Sequence, residues 1–237
     1  MAASRLAVRP TLWIIAGANG SGKSTAYERA AIDAPTGGIW FINPDALAKT
    51  IAEHEQLPLT PDANLESVRR IEAWPYASVN AHQTVGVETV MATGKYRALV
   101  DRANAQGYRV RLIYVFLKRA EINVTRVRDR VANGGHDVPE ASIRDRRERS
   151  FRQFSWFFEH ADEADIFDNS GAEPRLVARK AGDEITVYGW LIPELLAALE
   201  AAQPGLTGKL GRGRRRRRRR RKSGLETVAS PSGSAGV

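Results

Sequence analysis

The apolar run Leu12–Ala16 leads without a break into GANGSGKST, residues 17–25. This stretch fits G-x-x-x-x-G-K-[ST], with Gly17, Gly22, Lys23 and Ser24 at the fixed positions. Glycines at that spacing let backbone N–H groups turn inward and cradle phosphate oxygens. A helix beginning near Lys23 adds the positive end of its dipole at the same point. Lys23 is long enough to reach the β and γ phosphates of a nucleotide, and the Ser24 hydroxyl suits Mg²⁺. The predicted nucleotide site is therefore Gly17, Ala18, Asn19, Gly20, Ser21, Gly22, Lys23, Ser24 and Thr25, with ATP and Mg²⁺ as the expected cofactors and Ser24 as the metal-side residue. Such a loop works only between a strand and a helix, so the first βα unit is set.

The rest of the chain continues that alternation. Short β-branched or aromatic runs at 12–16, 39–42, 85–89, 108–116 and 164–167 read as strands. Helical spacing occupies 23–33, 45–55, 62–82, 95–106, 120–133 and 139–160. Nearly continuous apolar strands between helices point to a mostly parallel central sheet with helices on both faces. Pro44-Asp45, Pro61-Asp62 and the DVPE of 137–140 mark helix starts, and the glycines of ANGGHD (132–137) mark a stop. RLVARK and EITVYG, flanking 181–183, read as a hairpin, and LIPELLAALEAA as the last helix. The expected class is α/β, a P-loop NTPase fold with an arginine-bearing helical lid, a C-terminal hairpin and helix, and a basic tail.

Charge divides the chain in two. Of the 36 Lys/Arg and 27 Asp/Glu, eleven basic and one acidic side chain fall in 205–237. That leaves 25 basic and 26 acidic groups in 1–204, a body of net charge −1, so the high isoelectric point says nothing about what the body binds. The expected division is a catalytic domain at 1–204 and a disordered Arg/Gly/Ser-rich tail at 205–237. GRGRRRRRRRRK within it can bind RNA or other anionic surfaces through counterion release, or be no more than a solvated extension. The absence of cysteine excludes disulfides, thiolate metal sites and a cysteine nucleophile. No stretch reaches the length of apolar sequence that a membrane span needs, so no membrane insertion and a cytoplasmic location are expected.

Carboxylates at strand ends are the candidates for the acceptor side, since sites in open α/β sheets gather there. Asp45 follows the second strand in FINPDAL and can serve as base toward an attacked hydroxyl, or simply as an acid at a helix start. Glu88 and Thr89 end the third strand. A carboxylate within VGVETVM is costly unless it is paired or ligating. If the third strand neighbours the first, both acids flank the loop. Nine arginines lie between 119 and 152. Arg126 and Arg130 share a helix face, and Arg144 to Arg149 open the next long helix, so two arginine helices joined by glycines read as a lid over the phosphates. Most of the nine fit a solvated face, with two or three acting. His136 suits a capping or lid role, and FSWFF (154–158) suits the core.

IAGANGSGKST, FINPD, GVETV, RVRDRVANGGHDVP, RERS and FDNSG occur in one order over roughly 11–190, and in this the chain resembles the zeta-toxin-like P-loop kinases, closest to the branch described as predicted ABC-type ATPases. No LSGGQ-type segment accompanies that label. The resemblance implies transfer of phosphate from ATP to the 3′-hydroxyl of UDP-N-acetylglucosamine. It also implies a possible antitoxin partner. It assigns the base role to Asp45, sugar-nucleotide contact to Glu88 and Thr89, and lid roles among Arg126, Arg128 and Arg130, with a further one near Arg144 or Arg149. The chain departs from the family at Val90, where a hydroxyl residue is usual, and at Arg147, where an aromatic is. Both departures bear on the acceptor and leave the ATP half intact.

Three functions follow from these residues: a kinase of a small sugar nucleotide or related metabolite, a kinase of polynucleotide ends or an RNA-linked ATPase tethered by the tail, and a nucleotide-gated binding protein that transfers nothing. Asp45, Lys23, Arg126 and Arg130 form the catalytic set of the first. Glu88, Thr89, Arg128, Arg144 and Arg149 form its substrate set.

Overall fold

A computed structural model describes residues 9–25, 41–42, 61–134 and 137–206. Among the described residues seven strands form one sheet in the order β2-β3-β1-β4-β5-β6-β7. They are β1 (Thr11–Ala16), β2 (Phe41–Ile42), β3 (Val85–Thr89), β4 (Arg109–Phe116), β5 (Glu163–Asp168), β6 (Arg175–Ala181) and β7 (Glu184–Val187). The first five run parallel, and β6 and β7 complete the sheet as an antiparallel hairpin. The labelled helices are α1 (Pro61–Asn80), α2 (Arg97–Ala105), α3 (Ala120–Ala132), α4 (Glu140–His160) and α5 (Pro193–Ala202). A further helix opens at Lys23 and is described as far as Thr25. Expected elements that lie in the described residues fall within two or three positions of the observed bounds. The helix expected at 45–55, the continuation of the one from 23, Asp45, His136 and the tail lie outside them.

Strand alternation sorts the core. Leu12, Ile14 and Ala16 point to one face with Val85, Val87, Leu112, Tyr114 and Ile166, while Trp13 and Ile15 point to the other with Ile113, Val115 and Phe167. Both faces are buried, which is why these strands read as unbroken apolar runs. The larger face takes up Phe151, Phe154, Phe157 and Phe158 of α4, so FSWFF is core packing as expected. Trp156 of the same run lies at the side, with its ring 3.9 Å from that of His160 and the Arg97 guanidinium 4.9 Å over it. No helix among the described residues is long and apolar enough to cross a membrane.

The consequential point is the neighbourhood of β1. Strand β3 pairs with it on one side, with Ile15 opposite Glu88 and Ala16 opposite Thr89, and β4 pairs on the other. The third strand does neighbour the first, which sets Glu88 and Thr89 beside the strand that ends in the glycine loop; Asp45, the other acid, lies outside the described residues.

Candidate active site

The loop after β1 is tied at each turn. Gly17 N–H donates to the Thr89 carbonyl at 3.3 Å, and Ser21 N–H closes back on the Ala18 carbonyl at 3.1 Å. Gly17 has φ of 148° and Gly22 of 81°, left-handed backbone that a side chain would strain. Space forbids one as well, because a Cβ on Gly17 would meet the Val115 carbonyl and one on Gly22 would meet the Asn169 amide. The glycine spacing of the motif is thus required by the packing beneath the loop.

Lys23 is buried and turns back over the loop, donating to the Gly17 carbonyl at 3.0 Å. Its Nζ lies 3.6 Å from Glu88 Oε1, and the exposed Ser24 hydroxyl donates to Glu88 Oε2 at 3.4 Å. One carboxylate therefore spans the two side chains that the motif assigns to phosphate and metal. Thr89 turns the other way, its Oγ1 accepting from Met91 N–H at 3.0 Å. Among the described residues no group of three or more His, Cys, Asp or Glu could hold a metal by itself. The hard oxygens of Ser24 and Glu88 nevertheless suit Mg²⁺ in company with nucleotide phosphates.

The arginines part into three groups. Arg126 reaches the loop: its Nη2 donates to the Asn169 carbonyl at 2.9 Å, and its Nη1 would lie 3.5 Å from a Cβ on Gly22. Arg128 and Arg144 instead pair α3 with α4. Arg128 bonds Glu140 at 2.8 Å, and Arg144 bonds both Glu121 and Glu140 at 2.8 Å. The Arg144 guanidinium holds both carboxyls below their ordinary range. Arg149 pairs with Asp145 one turn back at 2.6 Å, and Arg130 is exposed on α3. Arg126 is thus the one of the five with its guanidinium shown beside Gly22 of the phosphate loop.

Three residues outside the predicted set complete the site. Asn123, in the first turn of α3, donates to the Asn19 carbonyl at 2.7 Å. Asn169, just past β5, donates to the Ser21 carbonyl at 2.8 Å. Arg147 is buried, with its guanidinium stacked 4.8 Å from the Phe151 ring, donating to the Leu117 carbonyl at 3.2 Å and pairing with Glu194 at 3.3 Å. It fills the core position where the resemblance expects an aromatic, which explains how the chain accommodates that departure. FDNSG was legible as a motif, but its partner in the loop is 148 positions away, so no local spacing points to it.

Beside them Asp168 is buried. Burial pushes its pKa up, but the Ser170 hydroxyl and N–H and the Lys118 ammonium at 3.1 Å outweigh that and hold it below the ordinary value.

A curated relative, an uncharacterised protein of Haemophilus influenzae, is 26% identical over 149 residues, covering 58% of this chain and 97% of the relative. Among solved structures, the AvrRxo1-ORF1:-ORF2 complex with ATP is similar with TM-score 0.60 at 17% identity, over 84% of this chain and 65% of that one. This chain thus spans just under two thirds of that neighbour. The structure of the PezAT chromosomal toxin–antitoxin system of Streptococcus pneumoniae is similar with TM-score 0.52 at 14% identity, over 83% and 88% of the two chains. A family model described as an AAA domain matches residues 12–152, more than half of the chain. The chain therefore belongs to the AAA-domain family which that model describes, with an α/β P-loop fold similar to those of the AvrRxo1-ORF1:-ORF2 and PezAT structures.

Proposed function

We propose that this protein is an ATP-dependent phosphotransferase acting on a hydroxyl of a small acceptor, with a UDP-N-acetylsugar as the first candidate. The observation that carries the reading is the meeting of Lys23, Ser24 and Glu88 at the ends of β1 and β3. In this reading the N–H groups of Gly17 to Thr25 and the Lys23 ammonium grip the β and γ phosphates. Ser24, with Glu88 beside it, would hold Mg²⁺, which when bound neutralises charge on the phosphates. Asp45, which lies three positions past β2 in the sequence and outside the described residues, is the proposed base. It accepts the acceptor hydroxyl proton as the new O–P bond forms and the bond from the γ phosphorus to the bridging oxygen breaks, releasing ADP. Glu88 and Thr89 would orient the acceptor. Arg126 and Arg130 would meet the charge of the transferring group, while Arg128, Arg144 and Arg149 would serve the closing helices. The toxin–antitoxin and ORF1:ORF2 complexes among the fold neighbours support a protein partner of antitoxin type.

The test is incubation with γ-labelled ATP and a metabolite extract, followed by identification of the compound that gains label. A labelled sugar nucleotide supports the reading. Asp45→Asn should lower transfer about 10²- to 10⁴-fold while leaving ATP affinity nearly unchanged. Undiminished transfer by Asp45→Asn would remove the base assignment. Tight ATP binding with no product from any acceptor would replace the kinase with a nucleotide-gated binding protein.

A further inference from the structure

The two asparagines that touch the loop do so through its carbonyls. A trans peptide holds its C=O and the next residue's N–H on opposite sides of one plane. With the Asn19 carbonyl drawn to Asn123 Nδ2, the Gly20 N–H must point away from α3. With the Ser21 carbonyl drawn to Asn169 Nδ2, the Gly22 N–H must point away from β5. These are the directions a phosphate needs. Both asparagines are themselves held: they are 1% and 4% exposed, and Asn169 N–H donates to the Phe116 carbonyl at 3.0 Å. The loop cannot slide away from them easily, because Gly20 packs against the Asn123 main-chain carbonyl and Gly22 against the Asn169 amide. A neutral amide also does this without placing a cation behind the loop to compete for the phosphate.

We propose that Asn123 and Asn169 are positioning residues for nucleotide binding, each holding one loop carbonyl on the protein side so that the N–H groups of Gly20 and Gly22 stay turned outward. The proposal rests on the reading that this loop binds nucleotide. It adds two residues, from two distant elements, to the machinery that makes the loop competent before the nucleotide arrives.

The experiment uses the full chain, with ATP as probe. Dissociation constants and the ATP-induced rise in melting temperature are measured for the wild type, Asn123→Ala, Asn169→Ala and the Asp replacement at each position. Asp keeps the size of Asn but sets an acceptor against a carbonyl. Each alanine variant should bind ATP about tenfold more weakly, and each Asp variant more weakly still, with a smaller ATP-induced rise in melting temperature. A merely structural asparagine would lower the melting temperature equally with and without ATP. The Asn169 carbonyl that accepts from Arg126 belongs to the main chain and survives these substitutions, so a loss at 169 is not a loss of that contact. If one alanine variant does not fold, the other asparagine and the Asp replacements decide by the same readout. Folded variants that bind within about twofold of the wild type would overturn the proposal while the nucleotide reading stands. A wild type that takes up no ATP would overturn both.

Discussion

Glu88 shows how one side chain can serve two neighbours at the loop. Its carboxylate faces the Lys23 ammonium and accepts from the Ser24 hydroxyl, so Glu88→Gln keeps the shape and removes the charge. If Glu88 orients the acceptor, this variant should raise the acceptor KM and lower kcat/KM about 10²-fold, as titration of the acceptor in the labelled-ATP assay would read. Asp168 makes a separate prediction about acid. Its folded pKa lies below the unfolded one, so its contribution is present above the ordinary carboxylate value, about 3.9, and is lost as pH falls through the lower folded value. Asp168→Asn should therefore flatten the fall in stability below about pH 4 and cost about 1–3 kcal/mol at neutral pH, read from urea midpoints across pH. Glu88 could be singled out from the sequence because a carboxylate in an apolar strand needs a reason. Asn123 and Asn169 could not, since asparagine suits a helix start or a strand exit for many reasons and their partners lie 104 and 148 positions away.

Helix α4 ends on a lysine from another element. Lys180 of β6 donates to the carbonyls of Phe158, Glu159 and Ala161 at 2.6, 3.0 and 2.7 Å, meeting acceptors that a helix C-terminus leaves open. Lys180→Met should cost about 1–3 kcal/mol in chemical denaturation, with Lys180→Arg recovering part of it. No spacing in the sequence announces this contact, because a lysine in an alternating strand reads as a solvent-facing residue. The elements themselves were far more legible. Strands β1, β3, β4 and β5 announce themselves as apolar runs because both sheet faces are covered, and the hairpin of β6 and β7 by its alternation. Two of the arginines expected to line a lid, Arg128 and Arg144, fasten α3 to α4 through Glu121 and Glu140. Charge counts along a helix cannot separate those two uses, since the deciding carboxylates lie on a neighbouring turn or helix.

At the scale of the molecule, the near-neutral body and the cationic tail make a prediction about truncation. Leu206 is buried in the main core, so the cut belongs after it rather than at 204. Removing 207–237 should leave the melting temperature within about 2 °C and leave metabolite phosphorylation unchanged at any salt concentration. Loss of turnover at low salt alone would instead mark a nucleic-acid substrate held by the arginines.

The five parallel strands have a further consequence. Glycine loop, Glu88, Asn169 and the start of α3 all crowd the rim where those strands finish. At the opposite rim, Arg9 clasps the carbonyls of Gly107 and Tyr108 and meets Asp162, whose carboxylate also receives Val110 N–H. Chemistry and fastening are thus assigned to different ends of one scaffold. A substitution at the first rim can therefore change the site while the clasp at the second keeps the sheet intact.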